Sequence, residues 1–450
     1  MVLMDTSPAI DALVRFTFGN LGSFRDDASL TLGATRVSDA GVARQVPWRA
    51  DGGTVAVLAA AGVFGANASG KTAVLRALAD MRLLVLGSFR SGSATTRLHR
   101  RPFLLDAAAT ALPSHFEVDL ALGGVRWQYG FEITDAEVVS EWAYRFPKGR
   151  QALVFERDGT DFDFAPSMRG AGRQLQRLSR HNSLLLSVAG AAADPTLGPL
   201  FGWFADNLVL AEAYTRGLRA ARTAELADSP KRGRVLELLQ AADLGITDIR
   251  RESADPEFVE RLHRAVRILM GQEGDLDSSE AEQFVVEDFV RLTHCGPEHC
   301  VELDPRDESQ GTLVWVGLIG PIIDALDRGA VLLVDELSSS LHPALVERLV
   351  RLFQDPVTNP RVGQLIFNDH NTVLLGDSAD RVLGRDQIWF TEKGNDGASR
   401  LYSLADFSPR HDDAVGRRYL QGRYGGLPVL DPSGFERAAL GNEEPALSPA

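Results

Sequence analysis

A single eight-residue loop constrains the fold of this 450-residue chain more than any other segment. The loop matches the pattern G-x-x-x-x-G-K-[ST] in full, and its residues are Gly65, Ala66, Asn67, Ala68, Ser69, Gly70, Lys71 and Thr72. An apolar run typical of a buried strand, residues 54–64, precedes it, and residues 72–86 have a helical pattern. Glycines let backbone N–H groups surround a phosphate, and the helix N-terminus adds positive charge. We therefore predict that all eight residues bind a nucleotide, with Lys71 at the β- and γ-phosphates and the Thr72 hydroxyl on Mg²⁺.

A pair of carboxylates follows a short apolar segment far along the chain. Residues 331–334 are all apolar, and Asp335 and Glu336 come directly after them. Carboxylates at the end of a buried strand suit Mg²⁺ binding and general-base catalysis. We predict that Asp335 completes the magnesium shell, directly or through water, and that Glu336 polarises the attacking water. The alternative is a strand that merely ends in an acidic turn.

The distance between these two motifs discriminates among proteins that contain a phosphate loop. Lys71 and Asp335 are 264 residues apart, whereas compact ring-forming ATPases, kinases and small GTPases place these elements much closer. We therefore predict one α/β nucleotide-binding sheet whose two halves are separated by an insertion.

Two kinds of segment fill the gap between the halves. Alternating apolar residues across 116–133, interrupted by Gly123-Gly124, predict a β-hairpin within an antiparallel β region. Residues 170–290 have a helical pattern that includes 200–214 and 255–271. The predicted divisions are the N-terminal half of the head at 1–165, an inserted helical domain at 166–290, the C-terminal half at 291–432 and a flexible tail at 433–450.

Two further motifs flank the acidic strand. Ser309 and Gly311 stand at the start of a predicted helix, where a hydroxyl, a glycine N–H and the helix dipole can meet a phosphate. Because the phosphate loop already serves the local nucleotide, we predict that this turn contacts a nucleotide held by another subunit; a plain N-cap is the alternative. His370 follows the next apolar strand and is predicted to sense the γ-phosphate, unless it is simply a solvent-facing histidine.

Together these motifs resemble the ABC-type ATPase fold in its non-transporter branch. GANASGKT resembles Walker A, ESQGT a degenerate signature, VLLVDE Walker B, LSSSLHP the D-loop region and FNDHN the switch-histidine loop. Further blocks are similar to bacterial AAA-type proteins of the abortive-infection and overcoming-lysogenization-defect kind: RFTFGNLGSFRDD, NSLLLSVAG, DQIWFTEKGNDGASRLYSL and YLQGRYGGLP. The sequence departs from the family in having Ser338 where Asp is frequent, and Asn368-Asp369-His370 where Thr-Thr-His is more usual. We identify no Q-loop residue.

The resemblance implies a fold and a function. The implied fold is α/β: an ABC-ATPase-type (P-loop NTPase) head with an antiparallel β subdomain and an inserted α-helical domain. The implied activity is hydrolysis of ATP with Mg²⁺ by a head-to-tail homodimer or higher homo-oligomer, which acts as a sensor or scaffold switch in anti-phage defence beside a separate nuclease or toxin effector. Two alternatives stay open: an SMC-like DNA-repair ATPase, and an ATP-gated scaffold whose hydrolysis is incidental.

Charge limits how the chain meets nucleic acid. The formal net charge is −14, so any such contact needs a local basic patch. Arg216, Arg219 and Arg222 share one helical face, and Lys231, Arg232 and Arg234 follow closely. This is the candidate surface for nucleic acid or an acidic partner, with a solvated helix face as the alternative.

The remaining composition indicates a cytoplasmic protein. Two cysteines imply no disulfide scaffold and fit a reducing compartment. Cys295 and Cys300 lie with two histidines around Gly296-Pro297, which predicts a hairpin turn in preference to a zinc site. No apolar run is long enough to span a bilayer, and we find no signal peptide, so no membrane partner is expected.

Overall fold

The computed structural model describes residues 10–90, 93, 95–211, 216–253, 261, 288–376, 381–428 and 430–440. The strands are β1 (Ala12–Gly19), β2 (Ala28–Thr31), β3 (Ala43–Pro47), β4 (Thr54–Leu58), β5 (Ala60–Gly65), β6 (Ser114–Leu122), β7 (Val125–Ile133), β8 (Val138–Arg145), β9 (Ala152–Asp158), β10 (Asp161–Phe164), β11 (Leu208–Ala211), β12 (Ile246–Ser253), β13 (Asp288–Cys295), β14 (Cys300–Leu303), β15 (Val331–Val334), β16 (Gln364–Asn368), β17 (Ile388–Lys393) and β18 (Ser399–Ser403). The helices are α1 (Lys71–Gly87), α2 (Ala107–Ala111), α3 (Arg169–Leu178), α4 (Leu185–Ala191), α5 (Gly198–Asp206), α6 (Arg216–Ala227), α7 (Arg232–Ala241), α8 (Gln310–Arg328), α9 (Pro343–Gln354), α10 (Val415–Leu420) and α11 (Pro432–Leu440).

A six-stranded, mostly parallel sheet forms the centre of the fold. Its strand order is β11-β15-β16-β5-β17-β18, and only β18 pairs antiparallel. Every residue of β5, β15 and β16 is buried, as expected for parallel strands covered on both faces. Ligands of such sheets bind outside the carboxyl ends of the strands. The order therefore brings the end of the phosphate-loop strand, the end of the acidic strand and the end of β16 to one edge.

The apolar run at residues 54–64 is two strands where the sequence predicts one. The chain changes partner at Ala59: β4 pairs antiparallel with β3, and β5 enters the central sheet between β16 and β17. Apolar composition marks burial but does not say which neighbour each residue pairs with, so the division has no signal in the run itself.

A seven-stranded antiparallel sheet confirms the predicted β region. Its order is β10-β9-β8-β7-β6-β1-β2. The hairpin predicted at 116–133 is β6–β7, with Phe116 opposite Phe131, and Gly123 and Gly124 at φ +58° and +74° in the turn. Positive φ at both turn residues suits glycine and matches the twist of the strands. With the central sheet, this sheet confirms the predicted α/β fold class.

One buried amide joins the two large sheets. Gln364, at the start of β16, is fully buried. Its Oε1 accepts a hydrogen bond from Leu13 N at 2.8 Å, and its Nε2 donates to Leu13 O at 2.9 Å and Leu58 O at 3.0 Å. Leu13 belongs to β1 and Leu58 to β4, so a single side chain connects three strands of different sheets.

Replacing Gln364 with leucine is expected to destabilise the protein by about 3 kcal/mol, because three buried backbone groups lose their partner while the volume is kept. Chemical unfolding in urea measures the change. The matched control is Gln128→Leu on the half-buried face of β7, which is expected to change stability by less than about 1 kcal/mol. An equal effect of the two substitutions would contradict the role of Gln364.

The segment between the halves of the central sheet contains strands as well as the predicted helices. Residues 208–211 were expected to continue a helix at 200–214, but α5 ends at Asp206 and β11 pairs parallel with β15, Leu208 opposite Val331. The open edge of β15 supplies hydrogen-bond partners that outweigh the local helical pattern.

The strands β12, β13 and β14 form a separate antiparallel sheet. The helix predicted at 255–271 lies outside the described residues except for Arg261, and the domain boundaries stay a prediction.

The hairpin β13–β14 confirms the predicted turn at Gly296-Pro297 and corrects the expectation about cysteine. Cys295 and Cys300 face each other across the two strands, with Cα atoms 4.0 Å apart, and form a disulfide. Both sulfurs are thus engaged with each other, so neither is a thiolate ligand for zinc. Their spacing of five residues gave no sign of pairing until the hairpin register was known.

The predicted flexible tail at 433–450 begins as a helix. Residues 432–440 form α11, which Pro432 starts because its fixed φ suits the first helical turn. Residues 441–450 lie outside the described part of the chain. Across the described residues, no helix combines the length and apolar character needed to cross a bilayer.

Candidate nucleotide-binding site

The glycine loop joins β5 to α1 in a conformation that requires small residues. Gly65 and Gly70 have φ values of +151° and +108°. A Cβ on Gly70 would lie 2.7 Å from Ser399 Oγ and 2.8 Å from Ser23 Oγ. The loop is also held from outside, because the hydroxyls of Ser69 and Thr391 are 2.6 Å apart. Serines and a threonine remote in sequence thus support the loop, a feature that the motif alone does not reveal.

Lys71 lies inside the loop that precedes it. Its side chain is only 5% exposed, and Nζ donates to Gly65 O at 3.0 Å and Ala66 O at 2.9 Å. Burial lowers the pKa of Lys71, and the nearby carboxylates of Asp335, Glu336 and Asp369 act against that shift. The ammonium group is therefore a cation with little water around it, which strengthens its attraction to an anion.

Thr72 and Asp335 meet although 263 residues separate them along the chain. Thr72 Oγ1 donates to Asp335 Oδ1 at 2.9 Å. The strand order of the central sheet thus brings Thr72, in the first turn of α1, next to Asp335, the residue that follows β15. A hydroxyl and a carboxylate side by side are hard oxygen donors, which is the ligand type that Mg²⁺ takes beside substrate phosphates.

Glu336 and His370 lie next to this pair and are open to solvent. His370 Nε2 is 3.9 Å from Glu336 Oε1, and the two side chains are 46% and 56% exposed. Glu336 has a left-handed φ of +55°, which is rare for residues other than glycine, asparagine and aspartate. The structure thus brings together Lys71, Thr72, Asp335, Glu336 and His370 at one edge of the sheet.

Asn368 and Asp369 are buried at the centre of the site. The sequence pattern identifies them only as departures from the Thr-Thr-His of the family and predicts no role for them. Asn368 is fully buried, and Asp369 is 1% exposed. Asn368 Nδ2 donates to Asp335 Oδ1 at 2.5 Å. A polar side chain that ends an apolar strand next to the acidic strand was the available signal, because such a group must find a partner where parallel strands end.

The serine–glycine turn caps its own helix. Ser309 Oγ accepts a hydrogen bond from Thr312 N at 3.1 Å, and Ser309 itself is exposed. A Cβ on Gly311 would lie 2.5 Å from Ser340 O, so this position fits glycine because the backbone after the acidic strand passes directly against it. Within one chain, therefore, the turn is an N-cap, as in the alternative expectation, and its hydroxyl contacts both the N–H and the hydroxyl of Thr312.

Within the described residues, the predicted basic face on α6 is not free at Arg222. Arg222 pairs with Asp324 through two hydrogen bonds, at 2.7 and 2.9 Å, and with Glu225 at 2.7 Å. The hydrogen bond to Asp324 is the main reason that the pKa of Arg222 is raised. Arg219 is 8% exposed, and the side chain of Arg216 lies outside the described residues. Periodicity places Arg219 and Arg222 on one helix face, and Arg222 contacts α8 there through Asp324.

The cations that follow α6 are paired with carboxylates as well. Lys231 and Arg234 both pair with Asp327, at 2.8 and 2.5 Å, and Arg232 pairs with Asp248 at 2.6 Å. Because Lys231 and Arg234 share one carboxylate, these contacts reduce the positive charge of this surface but do not cancel it, and nucleic-acid binding there stays a prediction.

The strand order and the site define the class of protein. A parallel sheet in which one strand separates the phosphate-loop strand from the acidic strand, with Lys71, Thr72 and Asp335 converging at its edge, is that of a P-loop nucleoside triphosphatase. Residues 60–376 match the profile of the family described as "AAA domain, putative AbiEii toxin, Type IV TA system". That match spans well over half of the chain, so the protein belongs to this family of AAA/ABC-type ATPases. A search of curated protein sequences gave no match.

Solved structures that resemble the chain include SMC head domains. An SMC head bound to the C-winged helix domain of ScpA shares 14% identity over 88% of this chain and 99% of its own, with a TM-score of 0.40. The SMC head domain from Thermotoga maritima shares 13% identity over 87% and 98%, with a TM-score of 0.35. RecF with ATP, a recombination mediator of the RecFOR pathway, shares 13% identity over 89% and 100%, with a TM-score of 0.34. These scores are low, and the fold assignment therefore rests on the strand order and the family match.

Proposed function

We propose that this protein binds ATP with Mg²⁺, hydrolyses it at sites shared between two copies, and acts as a switch in anti-phage defence beside a separate effector. The observation that carries the chemical part is the convergence of Lys71, Thr72, Asp335, Glu336 and His370 at one sheet edge. The family description, which names a toxin and a toxin–antitoxin system, supports the defence role.

The loop residues account for nucleotide binding. The backbone amides of residues 65–72 and the start of α1 favour a bound polyphosphate. Lys71 donates to two loop carbonyls in the chain alone, and a β- or γ-phosphate oxygen is a stronger acceptor for the same ammonium group. We infer that Lys71 exchanges these carbonyls for phosphate when ATP enters.

Thr72 and Asp335 fit a magnesium ion. Their oxygens are 2.9 Å apart, and they are joined by a hydroxyl proton that can reorient when an ion is held. When bound, Mg²⁺ neutralises charge on the β- and γ-phosphates. The protein contributes one carboxylate and one hydroxyl, which is typical of a magnesium site completed by substrate phosphates and water.

Glu336 is proposed as the general base and His370 as the residue that contacts the γ-phosphate. The exposed carboxylate of Glu336 accepts a proton from water as the water oxygen attacks the γ-phosphorus, and the β–γ bridging oxygen leaves with ADP. The imidazole of His370 is 3.9 Å from that carboxylate. It is thus placed to donate a hydrogen bond to a phosphate oxygen while remaining next to the base.

The exposed serine–glycine turn is proposed to serve the nucleotide of a second copy. Ser309 is an exposed residue at the N-terminus of the 19-residue helix α8, where its hydroxyl accepts a hydrogen bond from Thr312 N and lies 2.8 Å from Thr312 Oγ1. A helix of that length has a positive end able to bind an anion. Two copies arranged head to tail would each cover the other's phosphate loop, which is a two-fold interface in which each copy supplies the same two surfaces.

Mixing two inactive variants tests this shared site. Lys71→Ala removes the phosphate-binding lysine, and Ser309→Arg blocks the turn that meets the partner's nucleotide. Each variant alone has two defective sites, but a mixed dimer has one site with both defects and one with none. An equimolar mixture is therefore expected to recover about a quarter of the wild-type ATPase rate, measured by phosphate release after subunit exchange.

The control for this experiment is a mixture of Lys71→Ala with Glu336→Gln. Both changes lie in the same half-site, so a mixed dimer has one defect in each of its two sites and no recovery is expected. Recovery in this control, or none in the test mixture, would refute the head-to-tail arrangement without affecting nucleotide binding by the single chain.

A DNA-maintenance ATPase is the alternative that the sequence leaves open. The rate of ATP hydrolysis with and without duplex DNA separates the two functions, because a DNA-maintenance enzyme is expected to turn over faster on DNA. The pairing of Arg222, Lys231, Arg232 and Arg234 with carboxylates counts against DNA binding at that surface. An adjacent nuclease or toxin gene would favour the defence role.

A further inference from the structure

A neutral side chain connects the two halves of the site. The strand β16 lies between β5 and β15, so the ends of the lysine strand and the aspartate strand are two strand spacings apart, roughly 9 to 10 Å. Asn368 is the last residue of β16 and is fully buried between those ends. From this position its side chain contacts both Thr72 and Asp335, which also contact each other.

The amide of Asn368 uses its donors and its acceptor on different partners. Nδ2 donates to Asp335 Oδ1 at 2.5 Å and to Thr72 Oγ1 at 3.2 Å. Oδ1 accepts a hydrogen bond from Glu336 N at 2.6 Å, and the main-chain oxygen of Asn368 accepts one from Leu337 N at 3.1 Å. The donor side thus holds the proposed metal ligands, and the acceptor side holds the backbone of the proposed base.

The hydrogen bond from Glu336 N to Asn368 Oδ1 stabilises an unfavourable backbone conformation at Glu336. Glu336 has φ +55°, where side chains with a Cβ are strained, and hydrogen bonds on successive N–H groups fix the turn that contains it. Because the direction of the Glu336 side chain depends on this turn, the acceptor of Asn368 determines where the carboxylate lies.

The next residue adds a second attachment between the same two loops. Asp369 Oδ1 accepts hydrogen bonds from Ser338 Oγ at 2.5 Å, from His370 N at 2.6 Å and from Asn371 N at 2.8 Å. The loop that bears Glu336 and the loop that bears His370 are thus joined at two points. They are expected to move together.

We propose that Asn368 is a positioning residue that couples magnesium binding to alignment of the general base. This inference rests on the proposed function, since it assigns a role within the same site. Its donors keep Asp335 and Thr72 turned toward the metal position, and its acceptor keeps Glu336 in the left-handed turn. A side chain of this length with two donors and one acceptor at the branched end performs both tasks at once.

The experiment compares Asn368→Leu, which keeps the number and branching of the side-chain heavy atoms and removes every side-chain hydrogen bond, with wild type. Binding of ATP is measured by calorimetry in EDTA and across a magnesium titration, and turnover is measured separately. Loss of groups that orient metal ligands typically costs 10- to 100-fold in metal affinity or activity. We expect the half-saturating Mg²⁺ concentration to rise about 10-fold and kcat to fall about 100-fold, with affinity for ATP in EDTA within about 3-fold of wild type.

The Asn368→Asp variant separates the role of the Asn368 donors, which contact Asp335 and Thr72, from the role of its acceptor, which contacts Glu336 N. It keeps an acceptor for Glu336 N but places a carboxylate against Asp335, and Mg²⁺ relieves that repulsion. Its kcat is expected to recover to within about 10-fold of wild type at saturating Mg²⁺, whereas Asn368→Leu is not rescued at any Mg²⁺ concentration.

Asn359→Leu is the matched control, because Asn359 is also a buried asparagine, and its amide donates to Phe353 O and Gly363 O away from the site. It is expected to lower the midpoint of thermal unfolding without moving the half-saturating Mg²⁺ concentration. If Asn368→Leu behaves like this control, or leaves both Mg²⁺ dependence and kcat unchanged, the coupling role is wrong. If wild type binds ATP with the expected Mg²⁺ dependence but does not hydrolyse it, the proposal that the protein is an ATPase is wrong. In that case the Mg²⁺ titration still tests whether Asn368 positions Asp335 and Thr72, whereas the proposal that it aligns Glu336 as a general base is wrong.

Discussion

Replacing Lys71 with alanine is expected to lower the affinity for ATP at least about 100-fold, close to 3 kcal/mol. The side chain is 5% exposed and supplies the ammonium group that lies within the glycine loop. Truncating one member of a buried, hydrogen-bonded charge pair costs 2–5 kcal/mol, because the phosphate charge would then be left without its partner. Calorimetric titration with ATP, with and without Mg²⁺, measures the loss.

Lys148→Ala is the control, because Lys148 is an exposed lysine in the turn between β8 and β9. Its removal is expected to leave ATP affinity within about 2-fold of wild type, since exposed charges contribute little. Unchanged affinity in Lys71→Ala would mean that the loop is not the phosphate site, and the whole arrangement at the sheet edge would then need another explanation.

The second large effect concerns Glu336→Gln. The amide has nearly the same shape as the carboxylate but cannot accept a proton from water. Turnover is expected to fall about 1000-fold, within the range that general-base catalysis contributes, while ATP affinity stays within about 3-fold. Because the ATP-bound form is then no longer consumed, a dimer or larger assembly is expected to accumulate in sedimentation measurements.

Glu237→Gln provides a matched control, because Glu237 is an exposed glutamate on α7. Hydrolysis at the wild-type rate in Glu336→Gln would remove this residue from the role of base.

A phage challenge of cells tests the scaffold alternative. Full protection by Glu336→Gln together with loss of protection by Lys71→Ala would show that ATP binding, and not hydrolysis, is the function.

The residues that bind phosphate and metal could be predicted because each combines a local motif with a local context. The glycine loop lies between a strand and a helix, and Asp335 ends an apolar strand; both patterns depend on neighbouring residues only. The hairpin of β6 and β7 was predictable for the same reason, since alternation and two glycines specify it.

The remainder depends on contacts between segments far apart in sequence. The local pattern at 208–211 predicts a helix because the pairing partner of this strand, β15, comes about 120 residues later. Periodicity predicts the helix face on which Arg222 lies, but nothing local shows that Asp324 faces it. Asn368 lies within the FNDHN block, but its contacts with Thr72 and Asp335 follow only from the strand order of the central sheet.

The strand β16 has a consequence of a mechanical kind. It begins with Gln364, whose amide is bonded to both neighbouring sheets, and ends with Asn368, whose amide is bonded to the nucleotide site. The two amides are separated by three buried residues, roughly 13 Å of extended chain that is hydrogen-bonded on both sides and so resists compression. A displacement of Asp335 or Thr72 on nucleotide binding would thus displace β16 and, through Gln364, the strands β1 and β4. A displacement of the antiparallel sheet would in the same way reach the nucleotide site through β16.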